Sequence, residues 1–203
     1  THPRSSAASD VYKRQLGALS ATSSSKYRNG FEPLLPSFSF APLNNLEAFN
    51  QKINQTTAAV LVESIQGEGG IYEAEDQFLQ GLANICTERK VMLLLDEVQA
   101  GIGRTGEFLG FQKSGIIPSA VAMAKGLGGG FPIGAIWISE EFADVFAPGS
   151  HGTTFGGSPL ACSAAHAVLD VLEKEDLISD TQKKGKALRE NLYQFISKYP
   201  DLV

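Results

Sequence analysis

The sequence predicts an α/β fold built on a mostly parallel sheet with helices on both faces. Three observations carry that expectation. Short runs that are apolar at nearly every residue suit strands buried from both sides, and they alternate with longer segments of helical period. Gly and Pro punctuate the joins. Three of the runs end in a reactive side chain, Glu63, Asp96 and Lys125, and ligands of open parallel sheets collect at the carboxyl ends of strands.

Residues 1–15, THPRSSAASDVYKRQ, are polar, lack an apolar period and do not begin with Met. They read as a leader or a sequencing scar, with a short transit segment as the alternative, and stand outside the fold. From Leu16 to Phe40 turn residues such as Gly30, Pro33 and Pro36 predict loops. Leu46, Phe49 and Ile53 then recur at helical spacing behind Asn44 and Asn45, either of which can cap. Ala58–Glu63 predicts a buried strand, and SIQGEGG after it a glycine-rich loop. Phe78, Leu79, Leu82, Ile85 and Cys86 mark one helix face, and Val91–Asp96 is a second strand.

Beyond a Gly-rich stretch, Ser119–Lys125 and Gly134–Ser139 continue the strand pattern. Ser139 with Glu140 and Glu141 reads as a helix start. Ser158–Pro159 is a stronger one, because Ser can cap and Pro is preset for the first turn. That helix should reach Lys174. A second amphipathic helix, with Leu188, Leu192, Phe195 and Ile196 on one face, should reach Lys198.

Composition narrows the function. A chain of 203 residues holds one large core or two small ones. A net charge of -5 argues against a nucleic-acid surface. Lys183, Lys184 and Lys186 read as a solvated helix face. Cys86 and Cys162 stand far apart and in no metal-ligand spacing, so they read as core filler. No apolar run is long enough for a membrane helix.

Asp96 closes an apolar run, and a carboxylate at a core edge is costly unless paired. It is either a structural acid, holding a loop or pairing with Arg104, or a counter-charge for a bound cation. Lys125 follows AVAMA and precedes GLGGG. A lysine leaving a buried strand is unusual, and a desolvated amine is the nucleophile that attacks a carbonyl. Gly126, Gly128, Gly129 and Gly130 are expected to let a flat cofactor or a backbone come close. An amine for a Schiff base and an acid for a pyridinium nitrogen are what pyridoxal 5'-phosphate needs. Two other matches are weak. MLLLDE resembles the magnesium-binding strand of P-loop ATPases, yet the chain has no phosphate-loop string. Gly101–Gly106 spells GxGxxG without a clear following helix.

VESIQGEGG, LLLDEVQAGIGRTGEF, AKGLGGGFPIGA and HGTTFGGSPLAC, in that order, resemble the class III aminotransferases, with LGALSAT and KYRNGFEPLLP adding to the likeness. The resemblance implies a fold type I large domain over residues 16–175, with 176–203 as a helix leading toward a small domain. It implies a chain cut at both ends, the phosphate loop, ring-stacking aromatic and one substrate Arg preceding Leu16 and another Arg following Val203.

The resemblance also implies roles. Lys125 would bind the cofactor aldehyde and then shuttle a proton, while Asp96 would pair with the pyridinium nitrogen. Val98 would pack on the ring, and Gln99 would bond its phenolic oxygen. Glu97 would lie in the same cofactor-contacting turn, pointing away from the ring. Thr154 would reach the cofactor phosphate of the neighbouring subunit in a homodimer, with Thr153 near the substrate and His151 shaping the loop. Glu68 would be a movable gate. Two departures stand out: Ser64 where the family commonly has Pro, and Ser158 where it commonly has Asn. The implied reaction moves the δ-amino group of N2-acetyl-L-ornithine to 2-oxoglutarate, in the cytoplasm or an organelle. Succinylornithine, ornithine and 4-aminobutyrate are the alternative donors, and a non-catalytic cofactor-binding relative is the alternative class.

Overall fold

The computed structural model describes residues 16–150 and 152–199. Its contacts form two units, one up to Thr57 and one from Ala58 onward. In the first, short helices α1 (Leu16–Ser20) and α2 (Ser25–Arg28) interrupt the region expected to be loop. Helix α3 (Leu46–Lys52) is capped by Asn45, whose side chain accepts the Ala48 N–H at 3.0 Å. Asn44 instead takes a left-handed backbone, φ 60°.

The second unit holds strands β1 (Ala59–Glu63), β4 (Met92–Asp96), β5 (Ala120–Met123) and β6 (Ala135–Ile138), side by side in that order. The first three run parallel, and β6 is antiparallel to β5. Val60, Val62, Leu93 and Leu95 are buried, whereas Leu61 on the alternate face is 50% exposed. Period-two alternation therefore gives the sheet one closed face and one more open face. Edge strand β6 carries Ile136 and Trp137 largely in the open.

Between β1 and β4 the chain makes a small hairpin, β2 (Ile65–Gln66) with β3 (Tyr72–Glu73), which the sequence pattern did not predict. Helix α4 (Asp76–Arg89) follows, burying Phe78, Leu79, Leu82 and Cys86 as the spacing predicts. Burying a large aliphatic side chain contributes roughly 1.5–3 kcal/mol, so Leu79 and Leu82 anchor this helix. Burial also lifts the Cys86 thiol to about 11, leaving it unreactive filler.

Helix α5 (Pro159–Lys174) begins where Ser158–Pro159 predicts, and α6 (Leu177–Lys198) packs against it. The Ser158 hydroxyl makes no capping bond, so the start rests on Pro159 alone. After Ser139 the chain forms a 3-10 turn, Glu140–Phe146, and again no side-chain cap. On α6, Lys184 pairs with Asp180 at 2.7 Å on an exposed face, as expected for solvated lysines. No helix among the described residues is long and apolar enough to cross a membrane.

Candidate functional site

Register brings the three reactive strand ends together. Glu63 of β1 lies opposite Asp96 of β4, and Asp96 opposite Ala122 of β5. The Glu97 N–H donates to the Ala122 carbonyl at 2.9 Å, which closes the β4–β5 pairing. Just past β5, Lys125 opens a 3-10 turn, Lys125–Gly128, half-buried and in the left-handed region at φ 46°. Acid and amine thus stand at the carboxyl ends of neighbouring parallel strands, the predicted location.

Parity then separates two consecutive acids. Asp96 falls on the more open face with Leu94, and its Oδ1 accepts the Val98 N–H at 3.0 Å. Arg104, one partner considered for it, is exposed. Glu97 falls on the other side and has no exposed surface. Its carboxylate accepts from Ser64 Oγ at 2.5 Å, the Gly110 N–H at 2.8 Å and the Phe111 N–H at 3.3 Å. Burial, the largest influence, raises the Glu97 pKa above the usual carboxylate range, against those three bonds and aided by the nearby Asp96 charge. A carboxylate so engaged faces the interior.

Val98 and Gln99 continue the turn, half-buried. The hairpin reaches Gln99 directly: a Cβ on Gly67 would fall 2.3 Å from the Gln99 carboxamide. Glu68, the next residue, is exposed in the hairpin turn. Thr153 and Thr154 lie in the exposed loop before α5, with Thr153 packed on Gly156, and His151 lies outside the described residues.

Three of the four glycines behind Lys125 meet the protein's own side chains, while Gly130 faces open space. A Cβ on Gly126 would crowd Ile102 at 3.3 Å, on Gly128 would hit Ile133 at 2.8 Å, and on Gly129 would hit Val168 of α5 at 2.9 Å. Those glycines admit the protein's own side chains, so that the lysine turn docks tightly on α5. The GxGxxG string serves the same end. Gly103 meets Leu172 and Gly106 meets Gln182, whose Nε2 donates to the Gly106 carbonyl at 2.6 Å. A hollow of about 430 Å³ beside Gly126, lined by Ile102, Val168, Val171 and Leu172, is aliphatic and offers nothing to a phosphate or an amine.

Sequence reasoning missed the role of Ser64 and of the turn at Gly110–Ser114. Ser64 stood out only as a substitution, and its partner lies 33 residues away. The one available signal was the doubled acid at a strand end, since parity must bury one of the two.

The site's residues fit pyridoxal phosphate: Asp96 and Gln99 at the end of β4 and Lys125 just past β5 place an acid, an amide and an amine after the carboxyl ends of neighbouring strands. Comparison with known proteins points the same way. The model of the family described as aminotransferase class-III matches residues 12–203. Acetylornithine aminotransferase of Aquifex aeolicus is 50% identical over 179 residues, covering 88% of this chain and 47% of that protein. The enzyme of that name from Methanocaldococcus jannaschii is 45% identical over 188 residues, covering 92% and 47%. Among solved structures, ornithine aminotransferase of Toxoplasma gondii, with PLP at partial occupancy in its active site, gives a TM-score of 0.85 at 33% identity, covering 89% of this chain and 43% of that one. Acetylornithine aminotransferase of Elizabethkingia anophelis gives 0.76 at 37% identity, covering 81% and 44%. The chain spans about half the length of the curated relatives it matches.

Proposed function

Because the chain belongs to the class-III aminotransferases, we propose that it forms the cofactor-binding part of an enzyme moving the δ-amino group of N2-acetyl-L-ornithine to 2-oxoglutarate. The observation that carries this reading is the register that sets Asp96 beside the strand leading to Lys125. Bound pyridoxal phosphate supplies an aldehyde and an electron-withdrawing ring.

The chain's own residues do the rest. Lys125 would hold the cofactor through its amine and move a proton at the substrate carbon. Its half-buried, strained turn fixes where Nζ can go. Asp96 would keep the ring nitrogen protonated, its carboxylate braced by the Val98 N–H. Val98 would limit ring tilt, and Gln99, backed by Gly67, would donate to the ring oxygen. Glu97 adds no contact of its own. Thr154 would serve the phosphate of a second subunit in a homodimer, with Thr153 near the substrate.

The sequence relatives named for acetylornithine favour that donor, and with it would go a place in arginine biosynthesis, in the cytoplasm or an organelle. The structural likeness to ornithine aminotransferase keeps ornithine as the second reading. In the complete enzyme loaded with pyridoxal phosphate, borohydride reduction followed by peptide mapping should place the label on Lys125. A label on Lys90 or Lys113 instead would overturn the assignment.

A further inference from the structure

Once Asp96, Lys125 and Gln99 have their roles, the contact between Ser64 and Glu97 is left over. A carboxylate with no exposed surface must find its donors inside the protein. Those of Glu97 come from two other segments. Ser64 lies at the base of the β2–β3 hairpin, where its carbonyl also accepts the Ala74 N–H at 2.9 Å. Gly110 and Phe111 open the 3-10 turn, and Lys113 of that turn reaches back to Glu73 of β3.

The fit is close, since a Cβ on Gly110 would stand 2.7 Å from Ser64 Oγ and 3.3 Å from Glu97 Oε2. At its far end the same hairpin presses Gly67 on Gln99. Base and tip therefore grip the same short turn, at Glu97 and at Gln99.

We propose that Ser64 and Glu97 are positioning residues, a buried clasp that fixes the hairpin base so that its tip at Gly67 holds Gln99 in place at the strand-end site. A proline at position 64 could not donate this bond, so the clasp depends on the serine hydroxyl. The tie itself stands on the geometry alone. Its effect on a bound cofactor rests on the functional reading above.

The test uses the complete enzyme as wild type, Ser64→Ala, Glu97→Gln and the double variant. Amide hydrogen exchange is measured without cofactor, and pyridoxal phosphate is then added and its visible absorbance titrated with pH. Losing a hydrogen bond to a charged group should speed exchange about tenfold or more at Ile71 and Ala74 of the hairpin. Leu79 and Leu82 of α4 should exchange as before. Both single variants should loosen the hairpin, Glu97→Gln less than Ser64→Ala because its amide oxygen can still accept from Ser64 Oγ, and the double variant should add little at the hairpin beyond Ser64→Ala. The pH midpoint of the bound cofactor's absorbance should shift in both single variants, because Gln99 moves. Faster exchange confined to Gly110 and Phe111, or spread equally into α4, would overturn the clasp. An unchanged midpoint with a loosened hairpin would reduce it to a structural tie and overturn the positioning role. If the wild type takes up no pyridoxal phosphate at Lys125, the functional reading falls while the exchange data still decide the clasp.

Discussion

The strained backbone at Lys125 makes a prediction with an unusual sign. At φ 46° a residue with a Cβ sits in the left-handed region, which costs about 1–2 kcal/mol relative to the right-handed one. Glycine has no such penalty, although it loosens the unfolded chain by about 0.4–1 kcal/mol. Lys125→Ala keeps the Cβ and the strain, and Lys125→Gly removes both. The two variants lose the same lysine stem and the same amine, so their difference isolates the backbone. Lys125→Gly should therefore be more stable than Lys125→Ala by about 0.5–1 kcal/mol, a rise in Tm of about 1–4 °C for a chain of this size. In an ordinary helix or strand the order would be reversed. Urea unfolding and calorimetry of both variants, without cofactor, would decide it. Equal stability, or the alanine variant ahead, would refute the claim that this turn stores strain.

Three further outcomes are expected. Asp96→Asn keeps the size and the acceptor for the Val98 N–H, so stability should change by less than about 0.5 kcal/mol; pyridoxal phosphate affinity should fall about tenfold or more, and unchanged affinity would return Asp96 to a structural role. Glu68→Ala in the active enzyme should speed the half-reaction with α-amino acids such as glutamate and gain little with N2-acetyl-L-ornithine in stopped-flow absorbance; equal changes would end its role as a selective gate. The raised pKa of Glu97 means that the folded state binds its proton more readily than the unfolded state does. Its contribution to stability is then fully present below the ordinary glutamate value of about 4.3 and lost as pH rises through the raised folded value. Unfolding midpoints should show that decline in the wild type and a flatter profile in Glu97→Gln, and parallel profiles would contradict it.

What the sequence made legible follows from the reach of each signal. The strand cores of β1, β4 and β5 were readable because burial leaves runs such as the MLLL of Met92–Leu95 apolar throughout, and Pro159 marked the start of α5. The convergence of Asp96 and Lys125 followed from those runs, since parallel strands align their carboxyl ends. The β2–β3 hairpin was not readable, because a strand of two residues has no period. The packing role of Gly126, Gly128 and Gly129 behind Lys125 was not readable for a related reason. Whether a missing Cβ makes room for a cofactor or for Val168 is decided by α5, on which Val168 lies 39 residues after Gly129. Glu97 was placed in the right turn, but its donors are tertiary and left no local mark.

The opposed facing of Asp96 and Glu97 also constrains how β4 can change. Side chains alternate across a strand, so inserting or deleting one residue between Met92 and Asp96 would exchange the two environments. Insertion would carry the acid meant for the open face into a nest shaped for a longer side chain, and deletion would bring Glu97 out beside the lysine strand. Swapping the pair to Glu-Asp without changing length would misplace both carboxylates by one methylene and leave the buried donors of Ser64 and Gly110 stretched. A change of two residues would preserve the facing but shift the register against β1 and β5. The order and the count of residues in this strand are thus fixed together, and length variation here is tolerated far less than in the exposed loops that flank the sheet.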